Sequence, residues 1–103
     1  MIHAERVRLY EKAVECFGIE AQENMCIEEC AELIQAINKK HRRIPSNIAE
    51  EIADVEIMLE QVKFINRCGT EVERIKTDKL VRLSAMVERE KNNNARNDIN
   101  ATD

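Results

Sequence analysis

The sequence predicts an all-α protein of four helices joined by short connections. Three observations lead to this prediction. The 103 residues include only two glycines and one proline, and 35% of them are charged, which is typical of helical proteins. Apolar residues recur at the helical spacing of three or four positions. No segment alternates apolar and polar residues as a half-buried strand would.

The first two predicted helices are separated by a glycine. The first is expected from about residue 4 to residue 17, and Gly18 is expected to end it in a left-handed conformation. The second is expected from about residue 21 to residue 40. It stops because Pro45 disfavours helical backbone at the residue before it.

The third and fourth predicted helices each begin with a capping box. Asn47 with Glu50 would open the third helix, and Gly69 would end it. Thr70 with Glu73 would open the fourth helix. The capping role accounts for Glu50 without any chemical function.

The C-terminal segment of the sequence is polar and almost without apolar residues. We therefore expect one helical domain over residues 1–91 and a disordered tail over residues 92–103. A domain this small is near the lower limit for a self-sufficient core, so burial against a second copy would help it.

Composition also excludes several classes of function. The net charge of −4 does not favour a nucleic-acid partner. No apolar run approaches the ~20 residues that cross a bilayer, and the charged N-terminus lacks the apolar core of a signal peptide. We expect a cytoplasmic protein that binds neither nucleic acid nor membrane.

The cysteines are expected to be reduced thiols in a cytoplasmic protein. Cys26 and Cys30 lie one helical turn apart, but no histidine or cysteine pair elsewhere completes a zinc site with them. We therefore expect the cysteines to be small apolar side chains that are buried or half-buried. The four residues are Cys16, Cys26, Cys30 and Cys68.

Two acid pairs lie at the borders of apolar stripes on consecutive predicted helices. Glu29 precedes Glu32 by three positions, and Glu51 precedes Asp54 by three. This spacing places both carboxylates of a pair on one helix face, about 5–6 Å apart. Some acid pairs arise by chance in a chain with twenty acids, but a solvated charge run would avoid the border of a buried stripe. Two such pairs on packed helices predict a divalent-cation site.

Oxygen ligands favour Mg²⁺, with Mn²⁺ as the alternative. Mg²⁺ binds through a few carboxylates together with substrate phosphates, which suits hydrolysis of a phosphoanhydride. A di-iron site would require a histidine three positions after a glutamate on two helices. Neither Glu29 nor Glu51 has one.

The two acid motifs resemble those of the MazG-like all-α nucleoside triphosphate pyrophosphohydrolases. The segments IEECAEL (residues 27–33) and EEIADV (residues 50–55) are similar to the family's paired EExxE and ExxD motifs. Eighteen residues separate Glu32 from Glu51, which the family accommodates. The resemblance covers about residues 10–85 and includes the lead-in from Phe17 to Gln22.

The resemblance implies a Mg²⁺-dependent enzyme that hydrolyses an NTP or dNTP to the monophosphate and pyrophosphate. Such enzymes control nucleotide pools or remove non-standard nucleotides. Glu28 and Glu29 would act in catalysis, Glu28 by orienting a water or accepting its proton. The metal ligands would be Glu29, Glu32, Glu51 and Asp54. The resemblance also implies a homodimer or homotetramer in which neighbouring subunits help to form the substrate pocket.

The substrate contacts follow from the same resemblance. Gln22 and Met25 would contact the nucleobase, and Lys79 and Arg82 would contact phosphate. Relatives with a tryptophan near Phe17 use it for the base, and this chain has none, so base selectivity stays open. Lys79 is also compatible with an extended surface side chain. Four further basic residues would either flank the pocket entrance or compensate the helix dipole: Lys39, Lys40, Arg42 and Arg43.

Two alternatives to the enzyme remain at this point. In the first alternative, the chain is a non-catalytic helical interaction module whose acids keep it soluble or bind a basic partner. In the second, it binds metal and nucleotide and acts as a nucleotide-sensing module.

Overall fold

Four α-helices make up the computed structural model, which describes residues 1–101. They are α1 (His3–Phe17), α2 (Ile19–His41), α3 (Ile48–Asn66) and α4 (Gly69–Ala101). The predicted all-α class with four helices is confirmed. The chain divides into two compact units, residues 1–68 with α1 to α3 and the residues from Gly69 onward with α4. No helix of the described range is long and apolar enough to cross a membrane.

A single glycine joins α1 to α2. The N–H of Gly18 donates to the carbonyl of Val14 at 2.8 Å and closes the last turn of α1. Gly18 has φ 90° and ψ 156°, a backbone conformation that a residue with a Cβ rarely adopts. Helix α1 therefore ends at the predicted residue. Gly18 has the expected positive φ, but its ψ is extended.

Helices α2 and α3 form an antiparallel hairpin, which is the main helix packing within residues 1–68. The connection is short, and Ser46 at its end donates its hydroxyl to the carbonyl of Ala36 at 3.1 Å. Asn47 caps α3 as predicted: its side chain accepts a hydrogen bond from the Glu50 N–H and donates one to the Glu50 carboxylate. The N-terminal half of α3 is thereby held beside the C-terminal half of α2.

Helix α1 packs on both α2 and α3. The buried Tyr10 donates its hydroxyl to Glu60 Oε2, and Arg6 Nη1 donates to Glu60 Oε1 at 3.3 Å. The apolar core is small, because only four apolar side chains are buried among the described residues. They are Tyr10, Ala36, Val55 and Met58.

The end of α3 differs from the prediction. We expected Gly69 to end the helix, but α3 stops at Asn66 and Arg67 adopts the left-handed conformation with φ 52°. The N–H groups of Arg67 and Cys68 then bond the carbonyls of the last turn, and these bonds offset the left-handed strain. Gly69 is the first residue of α4, so Thr70 lies inside its first turn instead of preceding it.

Helix α4 extends past the point where we expected the ordered domain to end. It is helical to Ala101, whereas the sequence suggested a disordered tail from residue 92. Residues 70–101 contain neither glycine nor proline, so no strong helix breaker interrupts the polar segment. The last two residues of the predicted tail lie outside the described range.

Candidate metal and nucleotide site

The first acid pair lies where α2 turns its packed face toward α3. Gln22, Cys26, Glu29, Leu33 and Ala36 recur at alternating spacings of four and three and share one face of the helix. All five are buried or half-buried. Glu29 therefore interrupts a packed stripe, as its position between apolar residues predicted.

The neighbouring acids of α2 are more exposed than Glu29. Glu32 lies one turn further along the helix and is exposed. Glu28 is also exposed, and it is rotated away from Glu29 by one residue of the helix.

The second acid pair comes from the first two turns of α3. Glu51 and Asp54 are both half-buried, and the next residues on that face, Val55 and Met58, are buried. The Asn47 cap defines where the helix starts. It thereby sets the angular positions of the two carboxylates that follow.

The hairpin brings the two acid pairs together. One carboxylate oxygen each from Glu29, Glu51 and Asp54 lie within 4.8 Å of one another. We refer to these three residues with Glu32 as the acid cluster. Glu29 Oε2 and Glu51 Oε2 are shielded from solvent and have no hydrogen-bond partner. A buried polar atom without a partner is costly, so the arrangement lacks a positive or donating group.

The electrostatics of the cluster agree with its geometry. Burial raises the pKa of Glu29, and the negative charges of Glu32, Asp54 and Glu51 raise it further. Burial likewise raises the pKa of Glu51, followed by the charges of Glu32 and Asp54. Glu32 acts on both residues, so it is the fourth member of the cluster although it is exposed.

The donor set fits a hard divalent cation. Within residues 1–101 no basic side chain forms an ion pair with a cluster carboxylate. Carboxylate oxygens are the ligands that Mg²⁺ and Mn²⁺ prefer. A cation among Glu29, Glu51 and Asp54 would supply the partner that the two shielded oxygens lack, and it would offset the repulsion that raises the pKa values.

The structure shows the exposure of each predicted substrate contact. Gln22 is buried on α2, two turns before Glu29, and Met25 is exposed. Lys79 and Arg82 are exposed on α4, one turn apart. Their proposed roles stay predictions.

Two features were missed by the sequence reasoning. Gln61 is only 7% exposed, donates weakly to Met58 Sδ at 3.7 Å, and leaves its Oε1 without a partner. It lies seven residues after Asp54, so the helical stripe contained the signal. The bonds from Tyr10 and Arg6 to Glu60 join residues about fifty positions apart, and no local pattern marks such a pair.

The cysteines are free, as expected for reduced thiols. Cys26, Cys30 and Cys68 are half-buried, whereas Cys16 is exposed, contrary to the prediction, because it faces away from the packed side of α1. Burial raises the pKa of Cys26, and its neighbour Cys30 raises it further. A raised pKa keeps this thiol protonated and unreactive.

A comparison with known protein families matches residues 17–93 to the MazG nucleotide pyrophosphohydrolase domain. The match includes both acid pairs and the first part of α4. Searches of curated proteins and of solved structures found no significant match.

Proposed function

Because this chain belongs to the MazG nucleotide pyrophosphohydrolase family, we propose that it hydrolyses a nucleoside triphosphate, ribo or deoxyribo, to the monophosphate and pyrophosphate. The observation that supports this proposal most directly is the convergence of the Glu29, Glu51 and Asp54 carboxylates within 4.8 Å. The reaction is proposed to serve nucleotide pool control in the cytoplasm.

We assign the cation to the acid cluster. Glu29, Glu32, Glu51 and Asp54 would hold Mg²⁺, or Mn²⁺ in its place. When bound, the ion would neutralise phosphate charge and activate a water for attack on the phosphoanhydride.

The residues of the chain would have separate tasks in this reaction. The oxygen of a water molecule bonds to the α-phosphorus while the bond from that phosphorus to the bridging oxygen of the β-phosphate breaks. Glu28, which is exposed and directly precedes Glu29 in the sequence, would accept the proton that the water loses. Gln22 and Met25 would contact the base, and Lys79 and Arg82 would contact phosphate.

We also propose that the active form is a homodimer or homotetramer. Helix α4 exposes a group of large apolar side chains that a single chain would present to water, and their burial against another copy would be favourable. They are Leu80, Val81, Leu83, Met86 and Val87.

The activity is tested by incubating the purified protein with a panel of NTPs and dNTPs plus Mg²⁺ and measuring pyrophosphate. We expect Glu32→Gln and Asp54→Asn to lower the rate by more than about 100-fold. Loss of a residue that only hydrogen-bonds a metal ligand already lowers metal affinity or activity by about 10–100-fold, and loss of a ligand should lower it further. Circular dichroism should show unchanged helical content. Glu23→Gln, an exposed acid on the same helix as Glu32, is the matched control and should keep full activity.

Metal binding is tested separately from turnover. Mg²⁺ should raise the melting temperature of the wild type, because a ligand of the folded state adds roughly 2.7 kcal/mol at 100 times its Kd. Asp54→Asn should show a much smaller rise. Full activity in both ligand variants would refute the ligand assignment. Absence of pyrophosphate from every nucleotide, without any Mg²⁺-dependent thermal shift, would refute the enzyme and favour a non-catalytic helical module.

A further inference from the structure

The connection between α2 and α3 is attached to α2 by a serine. The Ser46 hydroxyl donates to the carbonyl of Ala36 at 3.1 Å, and this bond is partly buried. Pro45 and Ser46 take part in no backbone–backbone hydrogen bond within the described residues. The hydroxyl of Ser46 is therefore the group that holds this part of the connection to the helix.

The bond is not required to satisfy the end of α2. Ala36 lies inside the helix, which continues to His41, so its carbonyl is in reach of the N–H four residues later. The last carbonyls of the helix accept bonds from the N–H groups that follow it, among them those of Arg42 and Ile44. What the Ser46 hydroxyl adds is a fixed position for the chain that follows α2.

The chain on either side of Ser46 has little freedom. Before it, the Ile44 N–H donates to the Lys39 carbonyl at 2.8 Å, and the ring of Pro45 fixes φ of that residue. After it, Asn47 caps the first turn of α3. Because both neighbours are constrained, the contact of Ser46 with α2 determines where α3 begins.

The place where α3 begins bears directly on the acid cluster. Ala36 is buried and follows Glu29 by seven residues on the packed face of α2, which is about 10 Å along the helix axis. Glu51 follows Ser46 by five residues. The Ser46 bond thus attaches the start of α3 to the α2 face that carries Glu29. A displacement of α3 along α2 would change the distances from Glu29 to Glu51 and Asp54.

We propose that Ser46 is a positioning residue for the cation site. Its bond to Ala36 holds α3 in the register at which the carboxylates of the two helices converge. A cation makes this register matter, because Mg²⁺ requires nearly ideal octahedral geometry with oxygens at about 2.0–2.1 Å. The inference rests on the proposed function, since it assumes that the acid cluster binds a divalent cation.

The test measures the Kd of Mn²⁺ by electron paramagnetic resonance of the free ion, without nucleotide or turnover. We expect the Kd to rise about three- to tenfold in Ser46→Ala, because the net free energy of one hydrogen bond corresponds to about 2- to 12-fold in an equilibrium constant. Ser46→Thr keeps the hydroxyl and should bind Mn²⁺ nearly as the wild type does. Ser46→Val has the shape of threonine without the hydroxyl and should behave as Ser46→Ala does.

A matched control separates position from stability. The side chain of Asn66 donates to the Val62 carbonyl at 2.9 Å, at the opposite end of α3 from Glu51. Asn66→Ala therefore also loses one bond from a side chain to a helix carbonyl. Urea denaturation should show a lower midpoint for both alanine variants, but only Ser46→Ala should bind Mn²⁺ more weakly.

The outcomes distinguish this inference from the proposed function. An unchanged Mn²⁺ Kd in Ser46→Ala and Ser46→Val, or an equal loss in Asn66→Ala, would overturn the role of Ser46 and leave the cation site intact. A wild type that does not bind Mn²⁺ would refute the cation site itself, and the role of Ser46 with it.

Discussion

At the residue scale, two groups of shielded polar side chains in residues 1–68 differ in how they are partnered. Glu29 and Glu51 lie close together with raised pKa values and unpartnered oxygens, an arrangement that is typical of functional sites. Tyr10 and Glu60, in contrast, partner each other directly. The first arrangement costs stability and is expected of a functional site, whereas the second links α1 to α3.

The link between Tyr10 and Glu60 predicts a pH dependence of stability. Burial and the hydrogen bond to Glu60 raise the pKa of Tyr10 to about 12. A phenol whose pKa is higher in the folded chain than in the unfolded chain stabilises the fold. This stabilisation is fully present at pH values below the pKa of the unfolded chain, which is about 10. That stability is lost as the pH rises from there to about 12.

The measurement compares the wild type with Tyr10→Phe, which lacks the titrating group. Between pH ~10 and ~12, the free energy of unfolding of the wild type should fall by up to about 2–3 kcal/mol more than that of the variant. Tyr10 is the single tyrosine of the chain, so ultraviolet absorbance of the tyrosinate follows it directly. Ionisation near the ordinary pKa would contradict the prediction.

At the element scale, the start of α3 determines where two cluster carboxylates lie. Glu51 and Asp54 are in the first two turns, directly after the Asn47 cap. Fraying of these turns would move both carboxylates. The cap is therefore a structural support of the acid cluster as well as a stabiliser of the helix.

The loss of this cap gives a second prediction. Asn47→Ala removes the acceptor of the Glu50 N–H and should lower the free energy of unfolding by about 1 kcal/mol. Urea denaturation measures the change. Asn24→Ala, at an exposed position inside α2, is the control and should leave stability unchanged or slightly higher because alanine favours helix. Equal losses in the two variants would show that the cap is not responsible.

At the scale of the whole molecule, the apolar residues of α4 require an explanation. Leu83 is 52% exposed and Leu80 is 62% exposed, which is unusual for several neighbouring large apolar side chains on one helix. A second copy is the partner that we propose for them. The small core of residues 1–68 points in the same direction.

The proposed assembly is tested by a charge on α4. Leu83→Glu should shift the wild-type oligomer toward the monomer in sedimentation or light scattering, because a buried carboxylate without a partner is unfavourable. Ser84→Glu introduces the same charge at the next position and should leave the assembly intact. A monomeric wild type, or equal dissociation in both variants, would exclude α4 as the interface.

Much of the fold and part of the site could be predicted from sequence. The apolar periodicity indicated each helix, and Gly18 and Asn47 marked two of the boundaries correctly. Helix periodicity also placed Glu29, Glu51 and Asp54 at the edge of packed faces. The end of α3 could not be predicted. Gly69 was the residue expected to adopt the left-handed conformation that ends the helix, but Arg67, two residues earlier, adopts it instead.

By itself, the sequence determined the helical class, the faces of α2 and α3 that pack, and the acid motifs that the family match includes. These properties are local, because they depend on spacing along one helix. Only the tertiary structure decided that three carboxylate oxygens lie within 4.8 Å while Glu32 stays exposed, and that Glu60 pairs with Tyr10. Such contacts depend on the register between helices, which is set by the packing of distant side chains.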